Sequence, residues 1–383
     1  MITIKGEYAE AKIFTDAIED SAVGQIQKLC DQPFASGSRV RVMPDVHAGA
    51  GCAIGTTMTI RDKVVPNLVG VDIGCGMETV RLSEERVELP KLDSFIKERI
   101  PAGMDVRQSP HRYLKEIELW ALRCADAVNI SRGELNLGTL GGGNHFIEID
   151  RDEEGALYLV VHSGSRHIGL QVAEYYQKKG YEALGGKKHN DTPYDLAYIE
   201  GPLLDDYLHD MKIMQEFAAL NRRAMTDEIL KGMKLSEESR FTTTHNYIDL
   251  ENLILRKGAV SARAGEVLLI PINMRDGSLI CTGLGNPDWN ESAPHGAGRI
   301  MSRAAAKQSF TVSAFKKEMG GIFSTTIGDE TLDECPMAYK SMDDIVRHIA
   351  ETVRIEKRIV PIYNFKAGES ITRRKRNGKK GRK

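Results

Sequence analysis

A carboxylate and a thiol stand three residues apart in the glycine-rich segment GVDIGCGM, Gly70 to Met77. Glycine lets the backbone adopt conformations that other residues rarely reach, so Asp72 and Cys75 can both point at one metal ion. A single cysteine in such a loop is also consistent with a small buried apolar side chain. The segment alone leaves both interpretations open.

Histidines that could complete a metal site occur in three later segments. His145 follows three glycines in GTLGGGNHFIE, His162 ends the apolar stretch of VVHSGSR, and His245 lies among threonines in FTTTHNYID. Each histidine alone is also compatible with an ordinary core or surface position. Together with Asp72 and Cys75, they supply the nitrogen, oxygen and sulfur donors of a two-metal site bridged by a thiolate.

Two segments have the composition of phosphate-binding loops. The glycine run before Asn144 offers backbone amides, and the asparagine adds a donor, although such runs also form tight turns. In SAPHGAGRIMSRAAAK, His295 is a nucleophile-capable imidazole beside a turn of small residues. We predict a helix that begins just after His295 and carries Arg299 and Arg303 at i and i+4 on one phosphate-binding face. The alternative is a helix cap with solvated arginines.

The elements expected to position these residues are strands and helices in alternation. Apolar periodicity predicts helical segments at Asp16 to Leu29, at Lys91 to Val128 with an interruption around Pro101 to Pro110, and at Leu203 to Leu235. Strands are predicted at 145–149, 157–162 and 267–272. The candidate residues come from all parts of the chain, and no repeat or linker separates two units. We therefore predict one large α+β domain, residues 1–368, that converges on one site.

The composition fits a globular protein, since 41% of the 383 residues are hydrophobic and 28% are charged. No apolar stretch approaches the roughly 20 residues that cross a bilayer, and the N-terminus lacks a secretory pattern, so we expect a cytoplasmic protein with no membrane partner. The cysteines have no disulfide spacing, and most are expected to be reduced and buried. Residues 369–383 carry +7, which leaves −9 on the rest of a chain of net charge −2. We expect this basic tail to be disordered.

The ordered segments MPDVHAG, GVDIGCGM, GGGNHFIE, HSGSR, THN and PHGAGR resemble the RtcB family of RNA ligases, from Pro44 to Lys366. The resemblance implies an RtcB-like fold with mixed β-sheets around a central metal and nucleotide cleft. It also implies a ligase that depends on GTP and Mn²⁺. Such an enzyme joins RNA 3′-phosphate or 2′,3′-cyclic phosphate ends to 5′-hydroxyl ends in RNA splicing or repair.

The resemblance also implies roles for individual residues. A histidine of the HGAGR motif becomes guanylylated, and the matching residue is His295, oriented by the carboxylate that matches Asp45. Two Mn²⁺ ions per chain share one thiolate, and their matching ligands are Asp72, Cys75 and His145 for the first and Cys75, His162 and His245 for the second. The expected GTP contacts are Asn144, Glu148, Asn246, Asn273, Ser278, Gly296, Ala297, Gly298, Tyr339 and Lys366, the last at the guanine edge. The candidate RNA or phosphate contacts are Arg166, Arg299 and Arg303.

The implied reaction has three nucleotidyl-transfer steps. His295 takes GMP from GTP and passes it to an RNA 3′-phosphate, and a 5′-hydroxyl then displaces GMP and joins the strands. A cyclic phosphate would first be opened to the 3′-phosphate at the same metals. The sequence leaves open which RNA is joined, the oligomeric state and any need for an activating protein partner.

Two features depart from the common family pattern. The chain continues past Lys366 into GESITRRKRNGKKGRK, whose basic clusters suit RNA phosphates or form only a flexible terminus. Asn273 and Arg275 replace a serine and a glycine of many members, which puts the guanine and phosphate contacts around them in doubt.

Two other functions are consistent with the sequence. A dinuclear metal-dependent phosphodiesterase would hydrolyse RNA cyclic phosphate ends without using a nucleotide. A non-catalytic RNA-binding relative would keep the fold and use the basic tail. The second is disfavoured because every expected metal and nucleophile position is occupied.

Overall fold

The computed structural model describes residues 1–186 and 192–368, and the basic tail predicted to be disordered lies outside these residues. Within the described ranges, the strands are β1 (Ile2–Lys5), β2 (Glu10–Ile13), β3 (Val40–His47), β4 (Ile54–Thr59), β5 (Lys63–Val64), β6 (Gly76–Leu82), β7 (Phe146–Asp152), β8 (Leu157–Ser163), β9 (Ile199–Glu200), β10 (Glu237–Thr244), β11 (Asn246–Asp249), β12 (Ile254–Lys257), β13 (Ala259–Ser261), β14 (Val267–Asn273), β15 (Gly277–Gly283), β16 (Ser292–Pro294) and β17 (Val353–Lys366). The helices are α1 (Asp20–Cys30), α2 (Leu89–Arg99), α3 (Ile130–Asn136), α4 (Arg166–Ala183), α5 (Gly201–Met233), α6 (Arg303–Ser309), α7 (Val312–Glu318) and α8 (Met342–Ile349).

A seven-stranded antiparallel sheet in the order β10-β6-β8-β7-β17-β15-β14 carries five of the candidate site residues, namely Glu148, His162, Asn273, Ser278 and Lys366. Side chains alternate between the two faces of a strand. Ile147, Ile149 and Val161 therefore pack on one face against apolar side chains of α2 and α5. Glu148 and His162 point to the opposite face, where the site forms.

A second sheet in the order β1-β2-β3-β4-β12-β11 supplies the opposite wall. β2 and β3 pair in parallel, whereas the other neighbours in this sheet are antiparallel. The sheet is therefore mixed, and the predicted α+β class with mixed sheets is confirmed. All six cysteines are buried and free, as the absence of disulfide spacing predicts.

Helix α5 ties the site segments together. Its predicted apolar stripe is buried from Leu204 to Phe217. Past this stripe two buried polar residues face the site loops: the Asn221 side-chain amide accepts hydrogen bonds from the backbone of Gly138 and Thr139 and donates to Gly164 O, over 2.7–3.0 Å. The adjacent Arg222 donates to Gly74 O and Ser163 O at 2.7 and 3.0 Å. Three loops distant in sequence are thereby fixed to one helix.

Two predicted elements differ in the structure. The segment predicted to be mainly helical from Lys91 to Val128 contains one α-helix, α2, followed only by short 3-10 turns. The prolines and glycine between 101 and 110 interrupt regular hydrogen bonding, and the chain instead packs as turns against α5. Helix α1 begins at Asp20, four residues later than predicted.

The helix predicted to begin just after His295 is wrong. Residues 296–302 form a loop, and α6 begins at Arg303 after Ser302, whose side chain accepts a hydrogen bond from the Ala305 N–H. The loop passes so close to β3 that a Cβ at Gly298 (φ 73°) would lie 2.2 Å from the carbonyl oxygen of Asp45. Arg299 belongs to this loop, so Arg299 and Arg303 do not share a helical face.

Candidate active site

Side chains of the metal-ligand type converge where β6, β7, β8 and β10 end. The Cys75 Sγ lies 3.4 Å from His145 Nε2 and 3.3 Å from His162 Nε2. His162 Nε2 lies 3.4 Å from His245 Nε2, and His145 Nε2 lies 3.0 Å from Asp72 Oδ2. The ligand atoms form two groups, each within 4.8 Å: Asp72, Cys75 and His145, and Cys75, His162 and His245. The cluster can hold metal ions, and the two groups share Cys75.

The hydrogen bonds behind the cluster suit metal binding. His145 Nδ1 donates to Leu140 O at 2.9 Å, and His162 Nδ1 donates to Asn144 O at 3.1 Å. This tautomer leaves both Nε2 lone pairs free and directed at Cys75. Burial lowers the pKa of both histidines, so they are neutral near pH 7, as ligands must be. Burial raises the pKa of the Cys75 thiol well above its ordinary range, so a metal must displace its proton.

A histidine–aspartate pair lies beside this cluster. His295 Nδ1 lies 2.6 Å from Oδ2 of Asp45, and the His295 backbone N–H donates to the same oxygen at 3.2 Å. The carboxylate is fully buried, whereas 20% of the His295 side chain is exposed. The His295 ring centroid lies 5.0 Å from that of His245. The structure thus brings Asp45 against His295 and places His295 beside His245, one of the candidate metal ligands.

A half-buried lysine braces the strand that carries Asp45. Lys340 Nζ donates to the carbonyl oxygens of Pro44 and Val46 at 3.2 and 3.0 Å, one on each side of Asp45. The Lys340 backbone N–H donates to Gly298 O at 3.0 Å, in the loop that follows His295. One residue thus braces both partners of the histidine–aspartate pair.

A cavity of about 770 Å³ opens over His162, His245 and His295. Nine of the predicted nucleotide contacts line it, namely Asn144, Glu148, Asn273, Ser278, Gly296, Ala297, Gly298, Tyr339 and Lys366. A volume of this size accommodates a nucleotide-sized ligand. The predicted RNA contacts Arg299 and Arg303 also line the wall.

One end of the cavity combines an aromatic ring with groups of opposite charge. The Phe146 ring centroid lies 5.5 Å from Lys366 Nζ and 5.1 Å from the His162 ring centroid. The Glu148 carboxylate is buried and accepts a 2.6 Å hydrogen bond from Asn364 Nδ2. Burial raises the pKa of Glu148 to about 7. This end can stack a flat ring and can both donate and accept hydrogen bonds.

Two predicted contacts lie outside the cavity lining. Asn246 Oδ1 accepts from Gly258 N at 2.9 Å, so its amide supports the loop around His245. Arg166 adopts φ 58°, and its guanidinium lies 3.1 Å from His145 Nδ1, behind the metal ligands. A Cβ at Gly141 would lie 1.9 Å from this guanidinium, so the glycine run makes room for Arg166.

The two residues that depart from the common family pattern form one turn. Asn273 Oδ1 accepts from the backbone N–H groups of Arg275 and Asp276 at 3.0 and 2.9 Å. The Arg275 guanidinium pairs with Asp276 and Glu318, and it does not belong to the cavity lining. The departures therefore brace the β14–β15 hairpin, and only Asn273 reaches the cavity.

Three residues of the site were missed by the sequence analysis. Phe146 directly follows His145, so its position after a predicted ligand was the available signal. Glu334 and Lys340 lie in the segment DECPMAYK, and Tyr339 was the only residue predicted there. Nothing in the local pattern distinguishes Glu334 or Lys340 from solvated surface charges.

Among the described residues, none of the helices combines the length and the apolar character that a membrane-spanning helix needs.

Comparisons with known proteins agree with this geometry. The family model described as tRNA-splicing ligase RtcB matches residues 25–129 and 116–367. The chain is 32% identical to the RNA-splicing ligase RtcB of Escherichia coli strain K12, over 91% of this chain and 95% of the relative. It is 30% identical to the tRNA-splicing ligase RtcB of Aeropyrum pernix, over 84% and 86% of the two chains. Because the match spans nearly all of the described chain and both relatives, the protein belongs to the RtcB family of RNA-splicing ligases.

Proposed function

We propose that the protein joins RNA 3′-phosphate or 2′,3′-cyclic phosphate ends to 5′-hydroxyl ends, using GTP and a guanylylated His295. The observation that carries this proposal is the 2.6 Å contact of His295 Nδ1 with buried Asp45, at the edge of a cavity that also contains two metal-ligand histidines. We assign the catalytic domain to residues 1–368. RNA splicing or repair in the cytoplasm is the expected setting.

The histidine–aspartate geometry supports a nucleophilic role. Asp45 accepts the Nδ1 proton of His295, so the Nε2 lone pair is free. Attack by Nε2 on the α-phosphorus of GTP forms a P–N bond and breaks the bond to the bridging oxygen, so pyrophosphate leaves. The ring becomes positively charged as the bond forms, and the adjacent carboxylate stabilises that charge.

The shared-thiolate cluster supports two metal ions per chain. The residues that would hold them are Asp72, Cys75 and His145 for one ion and Cys75, His162 and His245 for the other. Bound divalent ions would neutralise phosphate charge and polarise the reacting phosphorus. Imidazole and thiolate donors accept several divalent transition metals, so the assignment of Mn²⁺ comes from the family resemblance.

The part of the cavity around Lys366, Glu148 and Phe146 suits a guanine base. Guanine has hydrogen-bond acceptors at O6 and N7 and donors on its other edge. The Lys366 ammonium and the Glu148 carboxylate provide complementary groups, and the Phe146 ring offers a stacking surface. The loop from Gly296 to Gly298, directly after His295, lines the same cavity.

The remaining two steps transfer GMP to RNA and then release it. An oxygen of the RNA 3′-phosphate attacks the phosphorus on His295, the P–N bond breaks, and the imidazole is regenerated. The 5′-hydroxyl then attacks the RNA phosphorus, its proton is lost, and GMP leaves as the strands are joined. Arg299 and Arg303, which line the cavity, are the proposed cationic contacts for these phosphates. Arg166 lies behind His145 and would reach a phosphate only beside the metal ligands.

A phosphodiesterase without nucleotide chemistry would explain the metal cluster alone. It would leave the Asp45–His295 pair and the complementary groups around Lys366 without a role. Incubation with Mn²⁺ and GTP labelled in the α-phosphate separates the two functions. We expect an acid-labile protein–GMP adduct that is absent in His295→Ala, while the metal content of that variant is unchanged.

Ligation is tested with RNA fragments of defined ends. The protein, GTP and Mn²⁺ should join a 3′-phosphate fragment to a 5′-hydroxyl fragment, and a 5′-phosphate acceptor is the matched control. The proposal is wrong if the intact, metal-loaded protein forms neither adduct nor joined RNA. Opening of the cyclic phosphate without either product would instead favour the phosphodiesterase.

A further inference from the structure

One buried carboxylate holds together the cationic wall of the cavity. Only 2% of the Glu334 side chain is exposed, and its Oε2 accepts from Lys366 Nζ at 2.8 Å and from the Tyr339 hydroxyl at 2.7 Å. Its Oε1 accepts from the Arg303 guanidinium and lies 3.5 Å from Arg299 NH1. Each oxygen therefore contacts two protein groups, three by hydrogen bonds and Arg299 by an ion pair.

We propose that Glu334 is a positioning residue for guanine-nucleotide binding. It fixes the Lys366 ammonium and the Tyr339 hydroxyl where a base enters. The inference rests on the proposed function, because it assumes that the cavity receives a guanine nucleotide. It deepens that function by identifying the group that keeps the recognition site assembled before the nucleotide arrives.

The charges around Glu334 show why a carboxylate is needed there. Three cations, Lys366, Arg299 and Arg303, lie against one carboxylate and would repel one another without it. Burial alone would raise the pKa of Glu334, but the charges of Lys366 and Arg303 hold it far below the usual range. Glu334 is therefore ionised at neutral pH, and it neutralises only part of the positive charge. The remaining charge suits an anionic ligand.

Lys366 is fixed from two directions. Besides its ion pair with Glu334, its Nζ donates to Asn144 O at 3.2 Å. The same carbonyl oxygen accepts from Nδ1 of the metal-ligand histidine His162 at 3.1 Å. The ammonium group thus lies between Glu334 and the metal-ligand cluster. If one of its two contacts is lost, the ammonium group can move around the other contact.

Replacement of Glu334 by glutamine has two opposing electrostatic consequences. The loss of a negative charge strengthens the general attraction for anions, whereas the release of Lys366 and Tyr339 weakens recognition of the base. A GTP analogue with a methylene group between the α- and β-phosphates measures binding without transfer. For Glu334→Gln we expect its Kd to rise roughly 10- to 100-fold, as for the loss of one or two charged hydrogen bonds. Inorganic tripolyphosphate, which has no base, should compete for the site of the variant at least as well as it competes for the site of the wild type.

Two further variants separate position from charge. Glu334→Asp keeps the charge but shortens the side chain by one methylene, so we expect weakened analogue binding with tripolyphosphate competition unchanged. The control is Asp333→Asn on the same 3-10 helix. The Asp333 carboxylate contacts Arg303 at 2.8 Å and Lys307 at 3.4 Å, and among the described residues it pairs with neither Lys366 nor Tyr339. We expect analogue binding within about threefold of the wild type.

The outcomes separate positioning from a merely structural role. Metal content and thermal unfolding are measured for every variant, all loaded with excess Mn²⁺. Parallel losses of analogue binding, tripolyphosphate binding and metal content in both Glu334 variants would assign the residue to folding and overturn the inference. Wild-type analogue affinity in soluble Glu334→Gln, or in Glu334→Asp if the first variant does not fold, would also overturn it.

The inference and the proposed function can fail independently. The proposed function fails if the wild type binds the analogue but forms no GMP adduct with GTP, and the comparison of Glu334 variants stays valid in that case. The inference fails if the wild type forms the adduct and the variants bind the analogue normally. A wild type that does not bind the analogue at all overturns both.

Discussion

Replacement of Asp45 by asparagine is the sharpest test of the nucleophile assignment, because it removes a charge and almost no volume. Asp45 Oδ2 accepts both the Nδ1 proton and the backbone N–H of His295, at 2.6 and 3.2 Å. Its Oδ1 is buried without a hydrogen-bond partner among the described residues. The asparagine oxygen can take the place of Oδ2, which puts the new NH₂ group where no acceptor is found.

The size of the effect follows from the charge that develops on the ring. A hydrogen bond to a charged group contributes about 1.5–3 kcal/mol and a neutral one about 0.5–1.5, so the ground-state difference is about 1–2 kcal/mol. As Nε2 forms a bond to phosphorus, the ring becomes cationic, and a pair of charges about 4 Å apart near a protein surface gains up to about 4 kcal/mol. A loss of about 2–4 kcal/mol corresponds to a rate about 30- to 900-fold slower.

The assay is the single-turnover rate of protein–GMP formation at saturating labelled GTP and Mn²⁺. The control is Asp210→Asn, which also alters a fully buried carboxylate but lies under the turn at Arg123 and Cys124, against Tyr176. This control should reduce thermal stability and leave the adduct rate within about threefold of the wild type at a permissive temperature. An Asp45→Asn enzyme that retains GTP binding and the wild-type adduct rate would refute the orienting role.

Four further predictions follow from the same geometry. Cys75→Ala should lower metal content from two ions towards none, because both ligand groups share its thiolate, and a content of two by elemental analysis would contradict the shared role. Because burial raises the pKa of Glu148 to about 7, the carboxylate that we propose accepts hydrogen bonds from guanine becomes protonated below that pH. The Kd for GTP should therefore rise on acidification, and Glu148→Gln should bind GTP weakly with a flat pH profile. Lys340→Met should slow adduct formation about 10- to 100-fold through misplacement of Asp45, with nucleotide affinity retained in direct binding. Burial raises the pKa of Asp150 well above its usual value, so the folded protein is stable with this carboxyl protonated and loses stability as rising pH removes the proton. Asp150→Asn should therefore raise Tm by more at pH 9 than at pH 5, and equal shifts would contradict the assignment.

The clustering of the candidate metal ligands was predictable because it involves residue types in unusual surroundings. Cysteine, aspartate and histidine beside glycines or at the ends of apolar strands are rare enough to identify candidate ligands. The sequence could not show that His145 and His162 would use backbone carbonyls to expose their Nε2 atoms to Cys75, because those contacts depend on the tertiary positions of loops. Ligand identity thus follows from composition, and ligand orientation follows from packing.

The fold was predictable where burial is periodic. The stripe on α5 gives its position to within two residues at each end, because that helix packs along most of its length. The segment after His295 was mispredicted because alanines and arginines favour a helix locally, whereas contact with the Asp45 strand requires a left-handed glycine at Gly298. Tertiary contact outweighs local propensity at this position, which adjoins the proposed nucleophile.

The short segment 334–340 connects the two halves of the proposed chemistry. At one end Glu334 holds the Lys366 ammonium, and at the other Lys340 clamps the backbone on both sides of Asp45. Between them, the Ala338 carbonyl accepts a hydrogen bond from Ile300 N at 3.0 Å, in the loop after His295. We expect a shift at the base end to disturb, in part, the groups that align the nucleophile. Variants at Glu334 should therefore also slow adduct formation at saturating GTP, by less than they weaken binding.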